Sequence, residues 1–272
     1  MLKIQMNIQG IYPSLVSFYM PFCGISDYDG MLAMKTLLAE IPPTSSILKS
    51  FCDSIVPKII ASISGSASND ESRVINGLDI VHEIVIRNSQ MLLPFSSEIR
   101  RLMINLIDHP RSLIRKKVIN TYSVLLLDLP AEAFNEFISH ITKKMEGFNT
   151  LSGELLKSNL YAWSTICRTD PLQFAPYVNT SATLILQIIE LEEKKDRDDV
   201  DDEVLEMGFL ALESIQTKCQ GESEPLLPNL FTFAMQFIKY DPNYQDIDDA
   251  SDEDQMDISD DEFADDFGDD EE

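Results

Sequence analysis

Lysine and arginine stop at Lys239; from there to Glu272 the chain has neither. Residues 241–272 hold 17 Asp or Glu, which leaves 29 acidic against 21 basic residues in 1–240. The formal net charge of −25 thus divides into a mildly acidic body at −8 and a tail at −17. Phosphate recognition needs a basic stripe, so this balance argues against nucleic acid as a partner. Basic protein surfaces are its complement. Long apolar runs are also missing. None approaches the ~18–20 residues of a membrane span, so no membrane partner is expected. The opening MLKIQMNIQGIYPSLVSFYMPF is interrupted by Gln5, Asn7, Gln9, Gly10 and Pro13, and no small-residue cleavage site follows. An intracellular protein is expected, in nucleus and cytoplasm.

Chemistry is equally scarce. Cys23, Cys52, Cys167 and Cys219 are far apart in sequence, with no CxxC and no metal-ligand spacing. They read as free thiols in a reducing compartment. His82, His109 and His140 fall in different segments with no ligand pattern. There is no nucleophile elbow, no GxGxxG and no P-loop. The tail fails the calcium-loop template at Gly268. The expectation is a protein with no catalytic residue, no metal and no cofactor.

What the chain has is helical periodicity, and the periodicity recurs. One kind of apolar helix appears at Ser26–Ile41, Asn69–Asn88, Asp108–Leu127, Leu151–Arg168 and Asp201–Cys219. Their centres lie roughly 40–50 residues apart, the period of HEAT or armadillo repeats. A second apolar helix follows each, near residues 46–64, 95–107, 131–146, 174–192 and 226–239. A helical hairpin can bury only one of its two apolar faces internally. Stacking buries the other, so the fold class expected is an all-α HEAT/armadillo-like solenoid. Asp108-His-Pro110 is the sharpest local signal: Asp108 is placed to cap, Pro110 to open the helix, and Arg115 to reach a neighbouring repeat from the polar side. Trp163 is expected in the core. Ser62–Ser72 and Glu192–Glu203 read as solvated loops.

The repeat breaks at Tyr240-Asp241-Pro242-Asn243-Tyr244, where Asp-Pro stops the preceding helix. Leu226–Lys239 is expected to be amphipathic, with Leu227, Leu230, Phe231, Ala234, Phe237 and Ile238 on its apolar side. It also reads as opening a hairpin whose mate is replaced by the acidic tail. The domains expected are therefore a solenoid over 1–240, about five hairpins with the last incomplete, and a disordered acidic tail over 241–272. Leu230, Phe231, Phe237 and Ile238 are the candidate face for a partner chain. The alternative cover is the tail itself, through Tyr244, Ile247, Met256, Ile258, Phe263 and Phe267, at the expense of like-charge repulsion. Ser251-Asp-Glu-Asp and Ser259-Asp-Asp-Glu fit an acid-directed kinase; each phosphate adds about −1.5 to −2 charge.

These residues resemble the cullin-associated, neddylation-dissociated HEAT-repeat family. The resemblance is densest at Tyr240–Tyr244 with the acidic segment behind it. Leu37–Ile47, Leu78–Val81, Pro110–Lys117 and Asp201–Ser214 are also similar. In that family the acidic segment leads into further repeats; here none follows Glu272, and the first repeats are shortened or absent. The chain is similar to an N-terminal fragment, or to one half of a two-chain version. The resemblance implies an adaptor on a cullin–RING scaffold that lacks its ubiquitin-like modifier. The N-terminal repeats would lie near the cullin C-terminal region and the RING subunit. Exchange of substrate receptors would need the C-terminal repeats, supplied by a second polypeptide or by sequence absent here. Charge pattern alone leaves two other readings open: an importin-like transport receptor, and an acidic chaperone for basic proteins.

Overall fold

The computed structural model describes residues 28–44, 46–66, 70–196 and 199–237, and the elements among them are helices with no strand. The chain divides into two compact units between Leu226 and Leu227. The first contains helices α1 (Tyr28–Glu40), α2 (Ser46–Ser66), α3 (Glu71–Asn88), α4 (Ser96–Leu106), α5 (Ser112–Leu125), α6 (Ala131–Met145), α7 (Gly153–Thr169), α8 (Val178–Glu193) and α9 (Asp202–Lys218). The second contains α10 (Leu227–Phe237). The all-α helical repeat read from the periodicity is the fold observed.

Short polar side chains start several of these helices. Asp70 accepts the Arg73 backbone N–H at 3.1 Å, Ser152 that of Leu155 at 3.4 Å, and Asp201 that of Val204 at 3.3 Å. Each satisfies one of the backbone donors that a helix N-terminus leaves unpaired. Helix α5 differs from expectation. It begins at Ser112, its N-cap is Arg111, and no side chain caps it. Asp108 instead takes His140 at 3.4 Å and Lys144 from α6. Pro110 precedes the helix rather than opening it.

Odd-numbered helices form one layer, in which α1 packs on α3, α3 on α5, α5 on α7 and α7 on α9. Even-numbered helices form the second layer, and each lies against the first helix of the following hairpin: α2 on α3, α4 on α5, α6 on α7, α8 on α9. Apolar residues between the layers make a continuous core, with Trp163, Phe134 and Phe137 fully buried. Two glycines bring the layers close. A Cβ on Gly77 would meet Ile63 at 2.7 Å, and one on Gly208 would meet Ile189 at 3.0 Å. Both are the seventh residue of their helices. Asn76-Gly77, a pair that elsewhere turns a hairpin, is held mid-helix in α3 by this approach.

The two stretches read as loops are shorter than expected. Helix α2 continues through Ser62 to Ser66. Helix α8 runs to Glu193, and Glu192 is only 4% exposed. Its carboxylate accepts the Asp201 backbone N–H at 3.2 Å and pairs with Lys195 at 2.5 Å, so it organises the turn into α9. The second unit follows the same sequence register. A single helical turn and a tighter turn precede α8 (residues 171–177), and the same pair precedes α10 (residues 220–226). Aligned this way, Pro176 matches Pro225, Thr183 matches Thr232 and Gln187 matches Gln236. By that register α10 corresponds to α8 and belongs to the second series.

Candidate interaction surface

Polar side chains stitch each hairpin to the next along the odd-numbered layer. Asp79 of α3 takes Lys35 of α1 at 3.5 Å and Lys117 of α5. Arg111 reaches Glu71 at 2.6 Å, the Tyr161 hydroxyl donates to Asn120 at 2.7 Å, and Lys157 reaches Glu203 at 2.6 Å. Most of these pairs are at least partly solvated, so each contributes under about 1 kcal/mol. Their value is in fixing the register between repeats.

Arg115 is the exception. It reaches the neighbouring repeat as the sequence suggested, but from the core rather than the polar face, at 1% exposure. Its guanidinium donates to Ser158 Oγ at 2.7 Å, to the His109 and Pro110 carbonyls at 2.8 and 2.7 Å, and to the Glu154 carbonyl at 3.0 Å. The exposed Glu154 carboxylate completes the set at 3.3 Å. A planar fork with five donors suits this cluster of acceptors; an ammonium would not. Burial pulls the guanidinium below its ordinary pKa, and Glu154 opposes the shift.

The three histidines stay apart. His82 meets the Thr121 hydroxyl at 3.2 Å, His109 Nδ1 accepts the Arg111 N–H at 3.1 Å, and His140 lies against Asp108. No group of His, Cys, Asp and Glu among the described residues could hold a metal ion. No described helix is long and apolar enough to cross a membrane. The cysteines, separated in sequence, are not all separated in space. Cys167 and Cys219 bring their sulfurs to 3.7 Å, both buried. Burial pushes the Cys52 thiol up to about 12 and drives Cys167 well above the ordinary range.

The candidate partner face falls on α10, and the structure sorts its residues. Phe231 is 68% exposed, with Leu227 at 43% and Met235 at 42% on the same side, four residues apart. Leu230 is half-buried. Phe233, absent from the expected apolar side, is buried at 8% exposure. Phe237 ends α10, its side chain outside the described residues. Ile238, Tyr240–Tyr244, Ser251 and Ser259 also lie outside them. The Met235 position was missed because Phe237 and Ile238 pulled the expected stripe toward the far end of the helix.

Comparison with known proteins indicates what this helical repeat is similar to. The chain is 28% identical over 236 residues to cullin-associated NEDD8-dissociated protein 1 of Drosophila melanogaster, covering 86% of this chain and 18% of that protein. It is 23% identical over 217 residues to the Dictyostelium discoideum protein of the same name, covering 79% and 17%. To cullin-associated NEDD8-dissociated protein 2 of Rattus norvegicus it is 24% identical over 217 residues, covering 78% and 16%. The chain is a distant relative of the cullin-associated NEDD8-dissociated proteins. It spans less than a fifth of the length of these relatives. No protein-family model matches it. The cullin-associated proteins thus share with this chain a stretch about as long as its described helical repeat.

Proposed function

We propose that this chain is a non-enzymatic adaptor that binds an unmodified cullin–RING scaffold. It contributes to ubiquitin-ligase assembly and substrate-receptor exchange together with further helical repeats. The observation that carries the reading is the likeness, over most of the chain, to proteins named for association with cullin in fly, slime mould and rat. The architecture is suited to the task. Stacked hairpins offer an extended surface built from many weak contacts, and register stitching keeps that surface in one shape. The acidic excess of the chain complements basic surfaces on a scaffold and speeds encounter with them. Cullin is the partner with most support; the RING subunit and a second polypeptide carrying further repeats complete the proposal. The place of action is nucleus and cytoplasm.

Affinity purification of the chain from its own cells, at near-physiological salt, tests this. Recovery of a cullin with its RING subunit and a second helical-repeat polypeptide is the expected result. Recovery of a transport GTPase with its cargo, or of histones, without any cullin would replace the adaptor by one of the other readings.

A further inference from the structure

Helices α7 and α9 meet through three side-chain pairs. Lys157 and Glu203 pair near the helix starts at 2.6 Å, and further along Ser164 and Ser214 bring their hydroxyls to 2.8 Å. At the far end the sulfurs of Cys167 and Cys219 lie 3.7 Å apart. Cys167 Sγ donates to the Ser214 carbonyl at 3.5 Å, and Cys219 Sγ to the Pro171 carbonyl at 3.6 Å. Both are free thiols. A disulfide sets its sulfurs about 2.05 Å apart, so the pair needs a closure of about 1.7 Å, the scale of a small side-chain rotation.

Burial confines the two sulfurs to each other. Cys167 is 0% exposed and Cys219 is 3% exposed, so the burial that shields them from alkylating reagents leaves each with the other as its nearest thiol. Cys52, the other cysteine among the described residues, lies on α2, which packs on α3 instead. Within the pair the positions differ. Cys167 is inside α7, whereas Cys219 caps the end of α9 with backbone angles outside the helical region. Cys219 is therefore the sulfur that a small oxidant meets first.

We propose that Cys167 and Cys219 are a reversible oxidation site, closed to a disulfide by hydrogen peroxide, and that this disulfide staples α7 to the end of α9. Peroxide transfers one oxygen to the Cys219 sulfur: an S–O bond forms, the O–O bond breaks and water leaves. The Cys167 sulfur then attacks the Cys219 sulfur. The S–S bond forms, the S–O bond breaks, and the departing hydroxide takes the Cys167 thiol proton as a second water. Two thiols have given two electrons to peroxide, which ends as two waters. Burial makes the first step slow; contact makes the second intramolecular and fast. A small-molecule thiol reverses the closure by exchange, so the pair rests as dithiol in a reducing compartment. The proposal stands apart from cullin binding.

The test treats the full native chain with hydrogen peroxide at neutral pH, quenches it in acid and digests it without reductant. Trypsin releases Cys167 in residues 158–168 and Cys219 in residues 219–239. Mass spectrometry is expected to find these two peptides joined, two hydrogens lighter than their sum, and separated again after dithiothreitol. The disulfide also restricts the unfolded chain, so the oxidised protein melts higher. Dithiothreitol opens disulfides but leaves oxidised methionines as they are, and it is expected to lower the melting temperature of the peroxide-treated chain by about 5 °C or more. Cys167→Ser and Cys219→Ser each lose that reversible shift, and Cys52→Ser keeps it. Recovery of both peptides unlinked overturns the proposal. So does linkage to Cys23, to Cys52 or to a second copy in its place, or linkage that forms only when the chain is unfolded before oxidation. A joined pair without the reversible shift overturns the staple.

Discussion

Replacing Arg115 by alanine removes the donor that joins α5, the turn before it and α7. Four uncharged acceptors lose a charged partner: Ser158 Oγ and the carbonyls of His109, Pro110 and Glu154. A hydrogen bond to a charged group contributes about 1.5–3 kcal/mol, and an orphaned buried acceptor costs about 1–3 kcal/mol. These values do not add. Pro110 is exposed and its carbonyl can turn to water, while the Glu154 carboxylate, 59% exposed, keeps its bond to Lys157. Against the loss stands the relief of no longer burying a guanidinium, together with the cavity that alanine leaves. The net expected is a destabilisation of about 3–5 kcal/mol. Arg115→Met fills the volume without donors and is expected to recover about a third of that loss. Arg115→Lys restores charge but not the fork and should fall between the two. Urea unfolding at neutral pH, followed by circular dichroism at 222 nm, reads all three. In a stacked repeat the damage is local, so amide exchange should rise first in α5 and α7. An alanine variant within about 1 kcal/mol of the parent would refute the clasp.

The remaining expectations concern packing, pH and thiols. Gly77→Ala gains about 1 kcal/mol of helix propensity but drives a Cβ into buried Ile63; it should destabilise by about 1–2 kcal/mol net, whereas Gly208→Ala, with a looser contact at Ile189, should be within about 1 kcal/mol of neutral. Thermal melts of the two variants check the order, and equal effects would contradict the geometry. Burial raises the Asp108 carboxyl, but the adjacent His140 and Lys144 side chains outweigh it, and the net position is below the ordinary carboxylate range. The unfolded chain therefore binds the proton more readily. Asp108 contributes stability above its unfolded pKa near about 4, and that contribution is lost as pH falls through the folded value. Asp108→Asn should flatten the acid limb of a melting-temperature profile; an unchanged limb would remove Asp108 from the account. Cys52, Cys167 and Cys219 are buried with raised pKa values, so a thiol reagent should leave them unmodified in native protein and label them on unfolding.

Most of the repeat was legible because its cause is periodic. The apolar spacing and the roughly 40–50-residue period follow from hairpins that must bury a second face, and both survive in a single sequence. Helix starts were legible to within a residue where a side chain caps them: the segments read from Asn69, Leu151 and Asp201 are capped by Asp70, Ser152 and Asp201. They were misplaced at Asp108, whose carboxylate is taken by Lys144 and His140 across the hairpin. Nothing local in Asp-His-Pro distinguishes a cap from a tertiary ion pair. Arg115 was legible as a reaching residue but not as a buried one, since its burial depends on acceptors 39 to 43 residues away. The meeting of Cys167 with Cys219 depends on the same long-range stacking. On α10 the apolar character was legible, but its rotation was not. The buried side turned out to be that of Phe233, and the exposed stripe runs through Leu227, Phe231 and Met235. Asn76-Gly77 shows the converse error that local rules invite, because the pair that turns a hairpin elsewhere is needed here for helix contact.

Cullin binding is the claim on which the functional account turns, and titration of purified full-length chain into a reconstituted cullin–RING complex tests it most directly. Two titrations are run in parallel, one with the cullin unmodified and one with its ubiquitin-like modifier attached. The account predicts measurable heat and a defined stoichiometry with the unmodified complex, weaker at high salt, and little or none with the modified one. Equal binding to both forms, or none to either while a transport GTPase or histone binds, would contradict it.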